Sequence, residues 1–88
     1  MTPARTPAAR GTVTLASCAT GRDVRLAAIH AGRELRSRLA AMGLVPGIRM
    51  RVMRREGHGP LVVALRGMRL ALGRGMAEKM DVEPWSPS

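Results

Sequence analysis

The sequence predicts a mainly β domain, a small barrel of about five strands with one helix between the first strands and a short C-terminal helical turn. Three observations support this class. The 88 residues suffice for one domain. Apolar and polar residues alternate over several short segments, as strands require, whereas only one segment has clear helical periodicity. Closing such short strands into a barrel removes the edges that a small open sheet would expose.

Both ends of the chain lack this periodicity. Residues 1–11 hold two prolines, two arginines and small residues, a composition typical of a disordered tail. Residues 85–88 are expected to form a flexible C-terminal tail that carries Trp85, the single aromatic residue of the chain. The folded domain is therefore expected to span residues 12–84.

The first strand is predicted over residues 24–30. Its apolar residues Val24, Leu26 and Ile29 do not alternate strictly, which indicates a β-bulge or a break in register. Gly32 follows the strand and separates it from the next segment.

Residues 33–42 are the helix candidate. Leu35, Leu39 and Met42 recur at the spacing i, i+4 and i+7, so they share one stripe of a helix. We expect this stripe to face the core, with the arginines of the segment outside it.

Two backbone signals follow the helix. Gly43 is placed to end it in the left-handed conformation, and the apolar Leu44 can then fold back onto its last turn. The segment Val45-Pro46-Gly47-Ile48 matches a type II turn, because proline fixes φ at roughly −65° and glycine adopts the positive φ that the next position requires.

The rest of the domain is predicted to be strands. Residues 48–53 alternate apolar side chains with Arg49 and Arg51, as in a half-buried strand with a cationic outer face. The remaining elements are a hairpin of residues 61–65 and 68–72, a helical turn near Met76 and Ala77, and a final strand over residues 80–83.

The chain is strongly basic. It has 15 Lys and Arg residues against six Asp and Glu, a formal net charge of +9. Such an excess favours an anionic partner, whether nucleic acid, lipid surface or acidic protein face. One basic face is expected to combine residues of the helix and the following strand: Arg33, Arg36, Arg49, Arg51, Arg54 and Arg55. The competing interpretation is that this is an ordinary solvated face, and that the arginine excess reflects the codon usage of a GC-rich genome.

Residues capable of metal binding or catalysis are few and scattered. Cys18, His30 and His58 show no ligand spacing such as CxxC or HxxxH, so no metal site is expected, and the two histidines are adventitious surface candidates only. No Walker motif and no paired nucleophile and base are present, which predicts a non-enzyme without a cofactor. The sequence has a single cysteine and contains neither a signal peptide nor an apolar segment long enough to cross a membrane. These features predict a cytoplasmic location.

The segment Arg38-Leu39-Ala40-Ala41-Met42-Gly43-Leu44-Val45-Pro46-Gly47 resembles the central RLxxMGLxPG motif of the FeoA family. The likeness extends over nearly all of residues 14–83. Pro60 matches the proline that opens the next strand, and the closing segment matches at Ala77, Met80 and Val82. The chain departs from the family pattern at His58-Gly59 and at Gly73.

This resemblance implies an SH3-like barrel that acts as a cytoplasmic accessory of ferrous-iron uptake. Such proteins look like adaptors that bind FeoB, a membrane transporter with a cytoplasmic GTP-binding domain, and modulate its activity or assembly. The same barrel also follows the DNA-binding domain of iron-dependent repressors. The alternative, based on charge, is a small basic barrel that binds nucleic acid through its phosphates. We expect a monomer or a weak homodimer.

The residues expected to contact the partner come from the helix end, the turn and the strand after it: Arg38, Met42, Leu44, Val45, Arg49 and Arg51. Within this region we expect Leu44 to pack on the helix end and Val45 to remain exposed. Gly43, Pro46 and Gly47 are assigned a structural role in the turn, since backbone geometry alone explains them.

Overall fold

The computed structural model describes residues 11–55, 57 and 59–85. In chain order its elements are β1 (Val13–Thr14), a 3₁₀ helix (Leu15–Ser17), β2 (Asp23–Ile29), α1 (Arg33–Ala41), β3 (Arg49–Arg55), β4 (Leu61–Leu65), β5 (Met68–Leu72), α2 (Arg74–Ala77) and β6 (Met80–Pro84). Nearly all of the two predicted tails, residues 1–10 and 86–88, lies outside the described residues.

The six strands form one antiparallel sheet in the order β1-β6-β2-β3-β4-β5. The last strand therefore lies between the first two, and β1 and β5 are the ends of the sheet. The mainly β class is confirmed, with one strand more than the approximate count from the sequence. The additional strand is β1, whose two residues are too short to show alternation.

The β-bulge expected in the first strand is present. The register between β2 and β6 shifts between Leu26, which lies opposite Val82, and Ala28, which lies opposite Asp81. The backbone N–H of Leu26 donates to Ile48 O at 2.9 Å, and its carbonyl accepts from Gly47 N–H at 2.7 Å. These two bonds attach the turn after α1 to β2 next to the bulge.

The core is aliphatic and contains several sulfur-bearing side chains. It includes side chains from β2, β3, β4, β5 and β6, and from the helical segments: Leu15, Cys18, Val24, Leu26, Ile29, Leu39, Leu44, Met50, Val52, Leu61, Val63, Leu65, Leu72, Ala77, Met80 and Val82. Of the predicted helical stripe, Leu39 is buried and Leu35 packs at the edge of this core. Met42 is 40% exposed, because α1 ends at Ala41 and Met42 is its C-cap.

Strands β4 and β5 are joined by the two-residue turn Arg66-Gly67. Both residues have positive φ, +49° at Arg66 and +79° at Gly67, as a type I′ hairpin turn requires. Arg66 is the only residue other than glycine with positive φ in the described part of the chain. A left-handed conformation costs such a residue roughly 1–2 kcal/mol.

Candidate functional site

The connection after α1 adopts the two turns that the sequence predicted. Gly43 has a φ of +95°, and the backbone N–H of Leu44 donates to Leu39 O at 2.9 Å, which closes the helix end. Gly47 has a φ of +99°, and Ile48 N–H donates to Val45 O at 3.0 Å, which closes the type II turn. The side chain of Leu44 has no solvent exposure.

A groove of about 480 Å³ lies between α1, the bulged end of β2 and this turn. We call it the α1 groove. Its lining residues are Ala27, Ala28, Ile29, Arg33, Arg36, Ser37, Ala40, Leu44, Val45 and Pro46. Small side chains on β2 and α1 leave the space open, and hydrogen bonding of the turn to Leu26 fixes its third wall.

The α1 groove combines an apolar lining with a basic side. Val45 is 40% exposed within it. Arg33 and Arg36 are exposed, and no carboxylate of the described residues forms an ion pair with either of them. An apolar segment carrying acidic residues is the chemistry that complements such a surface.

A second depression, of about 240 Å³, lies beside β3, the strand that carries Arg49 and Arg51. We call it the Trp85 cleft. It is lined by Asp23, Arg49, Met50, Arg51, Ala64, Leu65, Arg66, Gly67 and Trp85. The guanidinium of Arg49 lies 4.4 Å from the centre of the Trp85 ring, within the range of a cation–π contact. Arg51 binds Asp23 through two hydrogen bonds, Nε to Oδ1 at 2.8 Å and Nη2 to Oδ2 at 3.1 Å.

The structure separates the residues predicted to contact a partner. Val45 lines the α1 groove, whereas Arg49 and Arg51 line the Trp85 cleft. Arg38 lies in a neighbouring depression on α1 that shares Arg33 and Ser37 with the groove but includes neither Val45 nor the arginines of β3. These predicted residues are therefore distributed over three depressions, and their role in partner binding stays a prediction.

Two of those predictions need correction. Leu44 is completely buried beneath the turn, so it lies in the floor of the α1 groove and is not an exposed contact residue. The single basic face is divided: Arg33 and Arg36 line the α1 groove, which contains no residue of β3. On β3, Arg55 instead donates from Nη1 to the carbonyl of Cys18.

The hydrogen bonds from Arg51 hold the pKa of the Asp23 carboxyl below its ordinary value of 3.8. A depressed pKa in the folded state means that this pair stabilises the fold above the ordinary pKa of Asp and loses that contribution as pH falls through the folded-state value. We predict that NMR titration will place the Asp23 pKa lower in the native protein than in Arg51→Gln. Equal values in the two proteins would contradict the observed pairing.

The described residues contain no group of three or more His, Cys, Asp or Glu side chains placed to hold a metal ion. His30 Nε2 lies 2.7 Å from Oδ2 of the buried Asp81, so this histidine joins the end of β2 to β6. The other histidine of the sequence prediction, His58, lies outside the described residues. In the described chain no helix has the length and hydropathy needed to cross a membrane.

Cys18 is a packed side chain of the core. It is 7% exposed, and its Sγ lies 3.6 Å from the carbonyl oxygen of Thr14, to which it donates. Burial raises the pKa of its thiol, and the nearby charges of Arg22 and Arg55 oppose that rise. A thiol in this state is not activated as a nucleophile.

Sequence reasoning missed most of the α1 groove and the position of Trp85. The groove depends on Ala27, Ala28 and Ala40, and alanine carries no chemical signal. The sequence predicts that a flexible tail begins at Trp85, yet the backbone N–H of Trp85 donates to Asp23 O at 3.1 Å and its ring packs against Arg49.

Comparison with known proteins gives consistent matches. The family model for the FeoA domain matches residues 13–84. A relative from Methanocaldococcus jannaschii, named "Putative Fe(2+) transport protein A", is 36% identical over 69 residues, which are 78% of this chain and 83% of the relative. A crystal structure of an iron uptake regulatory protein (FeoA) has a TM-score of 0.78 at 30% identity and covers 84% of this chain and 99% of its own.

The same fold occurs in a larger regulator. A manganese-dependent transcriptional repressor in complex with manganese has a TM-score of 0.77 at 27% identity. The match covers 93% of this chain and 39% of the repressor. Together these neighbours confirm the SH3-like fold class.

Proposed function

The chain belongs to the FeoA family of ferrous-iron transport accessory proteins, and from this membership we propose that it is a cytoplasmic adaptor that binds the FeoB transporter through the α1 groove. The observation that carries the proposal is the groove itself, which is apolar in the middle and basic along α1. It faces outward from the helix and turn that contain the family motif, so a partner can reach it without disturbing the sheet.

The partner surface is the cytoplasmic GTP-binding domain of the transporter. An apolar side chain of that domain fills the space above Ala28 and Ala40, and acidic neighbours approach Arg33 and Arg36 on α1. Burial of the apolar centre contributes most of the affinity, while the charges favour encounter and orientation. Binding should therefore depend only weakly on salt.

The chain acts by binding rather than by catalysis. The α1 groove contains one hydroxyl, that of Ser37, and none of its lining residues is a histidine, cysteine or carboxylate that could serve as a general base. Ferrous iron is the cargo of the transporter in this proposal, and this chain acts on the transporter itself.

We predict that Ala40→Glu will weaken binding of the purified GTP-binding domain at least about tenfold, a loss of roughly 1.4 kcal/mol. The larger, charged side chain fills the groove and repels an acidic partner. Ala41→Glu is the matched control, since Ala41 is also exposed on the last turn of α1 but does not line the groove. Isothermal titration calorimetry measures both dissociation constants.

The control variant should bind like the native protein, and both variants should unfold at similar denaturant concentrations. Equal affinity of Ala40→Glu and native protein would exclude the α1 groove as the docking surface. Stronger binding to a single-stranded oligonucleotide than to the GTP-binding domain would instead support the nucleic-acid alternative.

A further inference from the structure

Three arginine side chains converge on the Trp85 cleft from two parts of the chain. Arg49 and Arg51 belong to β3, whereas Arg66 belongs to the turn between β4 and β5. All three residues are exposed, and Trp85 beside them is half-buried. The proposed function does not use this surface.

The positive charge in the cleft is only partly compensated. Asp23 pairs with Arg51. Neither Arg49 nor Arg66 forms an ion pair with a carboxylate of the described residues. Two guanidinium groups thus remain available to an anion, and each can hold a carboxylate through two parallel hydrogen bonds.

The side chain of Arg49 is held in place before any partner binds. Its guanidinium packs on the Trp85 ring, and Trp85 is in turn fixed by the hydrogen bond from its backbone N–H to Asp23 O. An arginine that is already ordered loses less conformational freedom on binding than a free one. The cation–π contact leaves the N–H groups at the edge of the guanidinium plane able to donate.

The backbone conformation of Arg66 is an independent indication that the cleft binds a ligand. Asn-Gly and Asp-Gly are the favoured pairs for a type I′ turn, whereas arginine at the first position holds a left-handed conformation at a φ of +49°. Such strain is common where a side chain has a binding role. In this chain it places a third guanidinium at the cleft.

We propose that the Trp85 cleft is a binding site for an acidic segment of a partner protein, with its side-chain carboxylates held by Arg49 and Arg66. This proposal rests on the proposed function only in taking the chain to act by binding a protein. Nucleic acid fits the cleft less well. The face of Trp85 covered by Arg49 is unavailable for the base stacking on which single-stranded nucleic-acid binding relies.

The test is titration of the full chain with a synthetic hexaglutamate peptide at about 50 mM salt, where screening is limited. Trp85 is the only aromatic residue, so its emission reports binding at the cleft directly, and calorimetry gives the affinity. We expect saturable binding that weakens about tenfold in Arg49→Gln and in Arg66→Asn. Arg33→Gln, which removes the same charge from the α1 groove, should keep the native affinity.

Arg66→Asn separates binding from folding. Asparagine tolerates the left-handed conformation, so this variant should melt at the same temperature as the native protein or a few degrees higher while it loses peptide affinity. No saturable binding of hexaglutamate, native affinity in both cleft variants, or tighter binding of a decathymidine oligonucleotide would each overturn the proposal. Ala40→Glu, which blocks the α1 groove, should bind hexaglutamate with native affinity. The peptide titration therefore tests the Trp85 cleft separately from the proposed docking at the α1 groove.

Discussion

Leu44→Ala is expected to lower the free energy of unfolding by about 2–5 kcal/mol, the range found when a fully buried leucine is truncated. Leu44 has no solvent exposure and lies under the turn that closes the α1 groove. Truncation removes buried apolar surface and leaves a cavity between the helix end and the sheet. Urea unfolding followed by circular dichroism measures the change.

Val45→Ala is the matched control for this prediction. Val45 is the next residue in the same turn but is 40% exposed, so its truncation should change stability by no more than about 0.5 kcal/mol. A loss in Leu44→Ala no larger than in Val45→Ala would show that Leu44 does not anchor the turn.

Gly47→Val is expected to destabilise the protein by about 1–3 kcal/mol. Gly47 has a φ of +99°, a conformation that β-branched residues resist, although no neighbouring atom lies within 4 Å of the place that a β-carbon would occupy. The cost is therefore one of backbone strain rather than of steric overlap. Gly43, with a φ of +95°, should respond in the same way to valine.

Gly75→Ala provides the control, measured against Gly47→Ala by the same unfolding experiment. Gly75 lies within α2, has no positive φ and also has open space around it. Alanine favours the helix, so Gly75→Ala should be neutral or stabilising, whereas Gly47→Ala should destabilise. A loss of the same size in both variants would attribute the effect to glycine removal in general, not to the turn.

The local parts of the fold were predictable from sequence because they depend on neighbouring residues. Gly43 and the Pro46-Gly47 pair specify their turns through backbone geometry alone. Leu26 and Ile29 indicated the bulge through their spacing. The SH3-like arrangement was implied by the family resemblance, since alternation by itself gives strands but not their order.

The candidate surfaces were less predictable because they depend on contacts between distant segments. The distribution of arginines follows from register: Arg51 lies opposite Asp23, and Arg25 opposite Glu83, to which it forms an ion pair. These ion pairs neutralise charges that a count of charged residues along the sequence treats as unpaired. The α1 groove arises where β2, α1 and the turn meet, and its alanines give no indication of a cavity when read along the chain.

The central claim is that this chain acts by binding the ferrous-iron transporter. The most direct test is a pull-down of tagged protein from detergent-solubilised native cells at about 50 and 300 mM salt, with and without nuclease, followed by identification of the bound protein by mass spectrometry. Contacts to several phosphates would lose most of their affinity over this range. We predict recovery of FeoB that resists nuclease and both salt concentrations. Recovery of nucleic acid alone, lost at high salt, would contradict the account.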